Sequence, residues 1–159
     1  MKNLNIDPQS TCPCCSEQTY QDCCLVFHSK SQLPDTPEQL MRSRFCAFYL
    51  GLNSYLIDTH HPDFLNGLTE ADLTQEPLPE WLSLHVIASD QRGDSGYVTF
   101  QAWYKLDGQL DAIHEHSSFE KLAGRWLYTE GKQKAAILPK RNDPCVCRSG
   151  KKFKQCCWR

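Results

Sequence analysis

A thirteen-residue cysteine pattern occurs twice in this 159-residue chain, once near each end. The first copy runs from Cys12 through Cys14 to Cys23 and Cys24; the second runs from Cys145 through Cys147 to Cys156 and Cys157. Both read Cys-x-Cys, eight residues, Cys-Cys, with a serine fifth (Ser16, Ser149) and an aromatic ninth (Tyr20, Phe153). Eight of the ten cysteines lie in these quartets, so both ends are committed to local sulfur chemistry. Four thiolates drawn together by one short segment make a closed tetrahedral zinc site. So short a segment has almost no core, and the metal must supply most of its folding free energy. Gly150 relieves backbone strain in the second loop; the first loop has no glycine and places Cys15 and Glu17 there.

Other uses of clustered cysteines compete with zinc. Iron–sulfur clusters also take four thiolates, but the adjacent pair and basic loop match no ferredoxin spacing. A redox pair is signalled by Cys-x-x-Cys, and that spacing occurs at Cys12/Cys15, overlapping the quartet. Disulfides require an oxidising compartment. The N-terminus lacks the apolar segment of a secretory signal, and no run of 18 apolar residues occurs. The expectation is a cytoplasmic protein without a membrane span, its thiols kept reduced and two zinc ions bound per chain. Cys15 is expected to be a spectator thiol, with competition as a ligand the alternative, and Cys46, between apolar residues of a helix, to be core.

Charge is unevenly spread. Residues 140–159 carry seven Lys/Arg against Asp143, a net +6, whereas residues 1–139 carry ten against eighteen acids, a net −8. The basic end attracts an anionic partner, and salt weakens that attraction; solubility alone is the plainer reading. The N-terminal copy holds Glu17 and Asp22 and neither Lys nor Arg, so the copies need not share a partner.

Three units follow: 8–28, 33–132 and 140–159. The middle one is long enough to bury a core unaided. A helix is expected over 36–50, capped by Thr36, with Pro37 in its first turn, Gln39 closing a capping box and Gly51 ending it. Leu40, Met41, Phe45, Ala47, Phe48 and Leu50 form its apolar face. A second helix fits 53–60, and a third follows the Thr69–Asp72 cap. The period then becomes alternating over 81–89, 96–105, 111–122 and 125–130, with turn signals at Asp107-Gly108 and Ala123-Gly124. Leu82, Leu84 and Val86 are expected on one face of the first strand. In the second, Val98, Phe100, Ala102 and Tyr104 share one face, and Tyr97, Thr99, Gln101 and Trp103 the other. Helices followed by an antiparallel meander give an α+β fold.

The stretch from Asn142 to Cys157 resembles the SEC-C motif at the C-terminus of the SecA translocase, which binds zinc and contacts the export chaperone SecB. The resemblance implies Cys145, Cys147, Cys156 and Cys157 as ligands and Lys151, Lys152 and Lys154 as a docking face for a SecB-like chaperone or ribosomal RNA. Val146 and Arg148 depart from the usual Pro and Gly. The N-terminal copy matches at Cys12, Pro13, Cys14, Ser16, Tyr20, Cys23 and Cys24, but has lost the glycines and lysines. The element order of the middle resembles the nuclear transport factor 2-like cone, N-terminal helices packed on a curved antiparallel sheet. With Leu40–Phe45, His60-His61-Pro62, His114–Ser117 and Arg125–Tyr128 between two SEC-C copies, the whole chain resembles the uncharacterised YchJ-like family.

Cones of this type often hold a pocket for a small ligand, and fold alone assigns no chemistry to it. Glu115 and His114 are the candidate general bases, with Tyr55, His60, Trp103, Trp126 and Tyr128 as candidate walls. Alternation puts Glu115, Ser117 and Phe119 on one face and His114 and His116 on the other, so one cavity cannot hold both candidates. The competing expectation is that Glu115 pairs with Arg125 or Arg42 and organises the sheet. His60 and His61 are expected to end a helix.

Overall fold

The computed structural model describes residues 5–158. Met1–Leu4 of the leader reading and Arg159 of the basic tail lie outside the described residues. The order is α1 (Cys24–His28), α2 (Pro37–Leu50), α3 (Asn53–Asp58), then β1 (Glu80–Arg92), β2 (Ser95–Leu106), β3 (Gln109–Leu122) and β4 (Arg125–Lys134). The strands form one antiparallel sheet in sequence order.

Helix α2 is set by its ends. Thr36 Oγ1 accepts from the Gln39 N–H at 3.1 Å. The Gln39 side chain reaches the Asp35 N–H at 2.7 Å, so the capping box closes one residue earlier than the sequence suggests. Gly51 ends the helix at φ +76°, a left-handed conformation open to glycine at no steric cost. The helix is wrapped on three sides. Leu40, Met41 and Phe45 pack on Leu84, Val98, Phe100, Ala102, Phe119 and Trp126 of the sheet. Ala47 packs with Tyr55 and Leu56 of α3, and Cys46 and Leu50 pack on the N-terminal cysteines. Burying each large apolar side chain contributes roughly 1.5–3 kcal/mol, so α2 is the element around which the domain closes.

Two hairpins form on the anticipated turns. Asp107-Gly108 has φ of 51° and 78°, and Ala123-Gly124 has 52° and 80°. Paired positive φ is the primed geometry that follows strand twist. Three other expectations fail. The helix after Thr69 is only a 3-10 turn, Asp72–Thr74, although the Thr69 N–H and Asp72 Oδ2 do bond at 2.9 Å. Gln75 is already extended, and Pro77 and Pro79 remove backbone donors. The second helix stops at Asp58 rather than residue 60. In β1 the register breaks between Trp81 and Ser83, so Trp81 takes the core place expected of Leu82.

Candidate metal centres

The two cysteine motifs fold alike, bond for bond. In the first, the Cys12 N–H donates to Gln18 O and the Tyr20 N–H to Ser10 O; in the second, Cys145 donates to Lys151 O and Phe153 to Asp143 O, all at 2.8–2.9 Å. Each begins with an isolated bridge, Thr11 to Thr19 and Pro144 to Lys152. Each has two left-handed residues, Cys15 and Glu17 in one, Arg148 and Gly150 in the other. The shared serine receives the N–H two residues on (Gln18, Lys151) and sets its hydroxyl against a ligand sulfur, 3.1 Å from Cys23 Sγ and 3.4 Å from Cys156 Sγ. The shared aromatics, Tyr20 and Phe153, are buried beneath.

In each quartet the four sulfurs lie within 4.8 Å of one another. Among the sulfur pairs, Cys14–Cys23 lie at 3.6 Å and Cys23–Cys24 at 3.9 Å, and Cys147–Cys156 at 3.3 Å and Cys156–Cys157 at 3.9 Å. A tetrahedron with metal–sulfur bonds of about 2.3 Å has edges of about 3.8 Å. Both quartets therefore have the donor set and spacing for a tetrathiolate-bound ion such as zinc. The sulfurs also share protons unevenly. In the second quartet burial works to raise Cys147, but hydrogen bonds from Ser149, Cys156 and Cys145 hold it at about 6. Burial and its neighbours push Cys157 up to about 12. In the first, the bond from Cys12 brings Cys14 down to about 7. A thiol held low gives up its proton to an incoming metal more readily.

The two centres are seated differently. The N-terminal one is built into the domain: Arg42 of α2 donates to Cys14 O at 2.8 Å, and Cys46 Sγ lies 4.0 Å from Cys12 Sγ. His28 of α1 ties it further, its Nδ1 at 2.7 Å from the Tyr20 hydroxyl and its Nε2 at 2.8 Å from Ser43 O. Cys15 stays outside the quartet, as expected of a thiol that is not a ligand, and takes another partner. Its sulfur accepts from the Leu84 N–H at 3.4 Å, on the edge strand of the sheet. The C-terminal centre hangs on a strap across the other face of the sheet. His114 Nδ1 on β3 donates to Ala135 O, Gln101 on β2 bonds both the N–H and the carbonyl of Ile137, and Ser83 on β1 donates to Val146 O at 2.6 Å. The nearby Cys157 sulfur, by charge when ionised and by hydrogen bonding, and then Cys147, hold the Lys105 ammonium above its ordinary value. Lys151 and Lys152 are exposed and Lys154 is half-buried.

The two candidate bases point apart, as alternation requires. Glu115 faces the helices, with Oε1 accepting from the Tyr128 hydroxyl at 3.0 Å. It pairs with neither arginine: Arg125 bonds Asp58, and Arg42 bonds Glu38 and Cys14. Buried Arg44 lies over the Tyr128 ring at 4.8 Å, bonded to Leu56 O and Thr59 Oγ1. His114 is on the opposite face, under the strap, with Trp103. Trp126 and Tyr55 are core. His60 packs edge-on against Tyr128, and His61 caps the next 3-10 turn by accepting from the Asp63 N–H.

Fold and sites define an α+β protein with a four-cysteine group able to hold a metal ion near each terminus. A family model described as the middle NTF2-like domain of YchJ matches residues 36–131, and the SEC-C motif matches residues 141–159. The chain belongs to the UPF0225 family. The UPF0225 protein Shewmr7_1921 of Shewanella sp. (strain MR-7) is 56% identical over 156 residues, covering 92% of this chain and 95% of the relative. SG1365 of Sodalis glossinidius is 45% identical, covering 94% and 98%. Among solved structures, the solution structure of RPA3114 from Rhodopseudomonas palustris, a SEC-C motif containing protein, superposes with a TM-score of 0.73 at 32% identity, over 80% of this chain and 100% of that one. The crystal structure of a SEC-C motif containing protein from Psychrobacter arcticus gives 0.68 at 29% identity, over 94% and 96%.

The motif spacing pointed to all eight sulfurs that the fold gathers. It gave no sign of Arg42, Cys46 or Lys105, which approach from elements distant in sequence, nor of the Leu84 N–H that reaches Cys15. The serine common to both copies was a visible signal, because a hydroxyl kept beside a Cys-x-Cys loop is suited to bonding a thiolate.

Proposed function

We propose that this is a cytoplasmic zinc-binding adaptor of three units, 8–28, 33–132 and 140–159, whose C-terminal knuckle docks on an anionic surface. The carrying observation is asymmetry between two knuckles of one geometry. The N-terminal copy is acidic and joined to α2 and the β1 edge. The C-terminal copy projects Arg148, Lys151 and Lys152 into solvent. Beside them Trp158, 56% exposed, packs edge-on to Phe153. A rigid loop presenting cations around an aromatic suits an acidic chaperone surface of the SecB kind, or ribosomal RNA. Two zinc ions then serve as scaffold. This reading is preferred to general-base catalysis because Glu115 and His114 are each engaged in holding the fold. It is preferred to purely structural clips because a clip needs no exposed basic face.

The test is capture of partners from lysate by the full chain, with and without nuclease, across a salt series. Capture should weaken with salt and vanish in the Lys151→Glu/Lys152→Glu/Lys154→Glu variant while two zinc ions stay bound. Nuclease sensitivity assigns RNA, and insensitivity assigns protein. Undiminished capture by the triple variant would refute docking through this face.

A further inference from the structure

The N-terminal quartet has a fifth sulfur beside it. Cys46, on the middle of α2, is fully buried, and its Sγ lies 4.0 Å from that of Cys12. It is not one of the four sulfurs that lie mutually within 4.8 Å, so it stands outside the tetrahedron they define. It shares an apolar cluster with Cys12, Cys24, Tyr20 and Leu50, which shields it from water. When an ion is bound, Cys12 is a thiolate without a proton to give. With Cys12 protonated the contact runs from its S–H to the Cys46 sulfur; once that proton is lost to the ion it can run only the other way, from the Cys46 S–H to the Cys12 sulfur. We infer that Cys46 is an outer-sphere positioning residue of the N-terminal metal centre, contributed by the central domain, whose thiol donates to the Cys12 thiolate and slows release of the ion.

The physical case rests on charge. Four thiolates around a divalent ion leave two negative charges in a buried place, and each donor aimed at a sulfur spreads them. Ser16, 3.1 Å from Cys23 Sγ, is placed to serve in this way, and Cys46 takes the same part toward Cys12 once that thiol has lost its proton. The C-terminal centre has the equivalent serine but no fifth thiol: beyond the eight ligands the chain has only Cys15 and Cys46, and Cys15 Sγ is engaged by Leu84. The two centres should therefore release metal at different rates, and changes at Cys46 should move one of them alone.

The inference depends on the quartet binding a metal, and the experiment separates the two claims. Full-length wild type, Cys46→Ser, Cys46→Val and Cys46→Ala are loaded with Co(II) or Zn(II). Thiolate-to-Co(II) charge-transfer spectra, ion counts by native mass spectrometry, and the two phases of Zn(II) release to excess chelator are recorded. Expected are two ions in every variant. One release phase should quicken roughly 10- to 100-fold in Cys46→Val and Cys46→Ala, the usual range for losing an outer-sphere partner. The charge-transfer band should shift to lower energy in the same two variants. Cys46→Ser, which keeps a donor, should stay near wild type. Valine fills the space without donating, so a normal rate in Cys46→Val with a fast one in Cys46→Ala would mean packing alone and overturn the assignment. Loss of one ion in the valine and alanine variants would make Cys46 a direct ligand and overturn it equally. Uptake of a single ion by wild type would refute the metal reading of this knuckle, and the inference with it.

Discussion

Gly131 on β4 sits opposite Ser117 of β3, and replacing it with alanine tests what Glu115 does. Its backbone is not in the left-handed region, so the chain itself would accept alanine. On backbone entropy alone Gly→Ala should stabilise by about 0.4–1 kcal/mol. The space forbids it: a Cβ at Gly131 falls inside the Glu115 carboxylate, overlapping Oε1 and Cδ. The side chain must swing away, giving up its 3.0 Å hydrogen bond from Tyr128. A hydrogen bond to a charged acceptor contributes about 1.5–3 kcal/mol, and a forced rotamer costs about 0.5–1.5 kcal/mol. Set against the entropy gain, Gly131→Ala should destabilise by about 1–4 kcal/mol. Each kcal/mol lowers the midpoint by roughly 2–4 °C at this chain length. Thermal and urea unfolding with metal present would measure this in wild type, Gly131→Ala, Glu115→Ala and the double variant. In the Glu115→Ala background the clash is gone, so the glycine change should become neutral or stabilising. Equal costs in both backgrounds, or a stabilising single change, would refute the packing described for Glu115.

Cys23→Ser and Cys156→Ser should each lower the ion count from two to one by native mass spectrometry. The first should lower the unfolding midpoint more, because Cys12, Cys24, Cys46 and Leu50 share one buried cluster. Burial holds His28 below its ordinary value of 6.5 despite its bond to Ser43 O. The unfolded chain then takes up the proton first as pH falls, so the stability His28 contributes is complete above pH 6.5 and is lost on acidification. His28→Gln, able to bond both Tyr20 and Ser43 without titrating, should flatten the fall in midpoint between roughly pH 7.5 and 5.5, with ion occupancy followed in parallel. Arg148 holds a left-handed φ of 65°, which costs a non-glycine residue about 1 kcal/mol or more. Arg148→Gly should therefore tighten metal binding at the C-terminal knuckle roughly fivefold in chelator competition.

Features that depend on near neighbours in sequence were legible. Cys-x-Cys and Cys-Cys across an eight-residue loop define a quartet without help from the rest of the fold. Thr36, Gln39 and Gly51 mark the ends of α2, and Asp107-Gly108 and Ala123-Gly124 mark two turns. Period two placed Glu115 and His114 on opposite faces. What failed depended on distance. The Thr69–Asp72 cap is real, but the prolines that follow leave no room to propagate a helix from it. Leu82 lost its core place to Trp81 because a break in the β1–β2 register cannot be read from one strand. Cys15 looked idle because its partner, the Leu84 N–H, belongs to a strand 69 residues away. His114 looked like a base because the strap that engages it comes from beyond β4.

The same contrast explains why two knuckles of one geometry need not do one job. Their backbones are held by the same bonds, so metal binding makes no demand that the copies share a surface. In the N-terminal copy the outward groups are taken inward. Cys14 O meets Arg42, Cys15 Sγ meets the β1 edge, and Tyr20 bonds His28. Each contact covers backbone or sulfur that would otherwise face water or a partner, and covering the β1 edge also protects it from pairing with another chain. In the C-terminal copy the central domain takes hold mainly along the strap and at Val146 O, leaving the Arg148–Lys152 loop open. A knuckle buried against the domain adds stability, whereas one held at a few points and ringed with cations can meet another molecule without disturbing the core. Charge reversal at Lys151, Lys152 and Lys154 should consequently leave the unfolding midpoint almost unchanged. If it lowered the midpoint by as much as Cys23→Ser, the basic face would belong to the fold rather than to a partner.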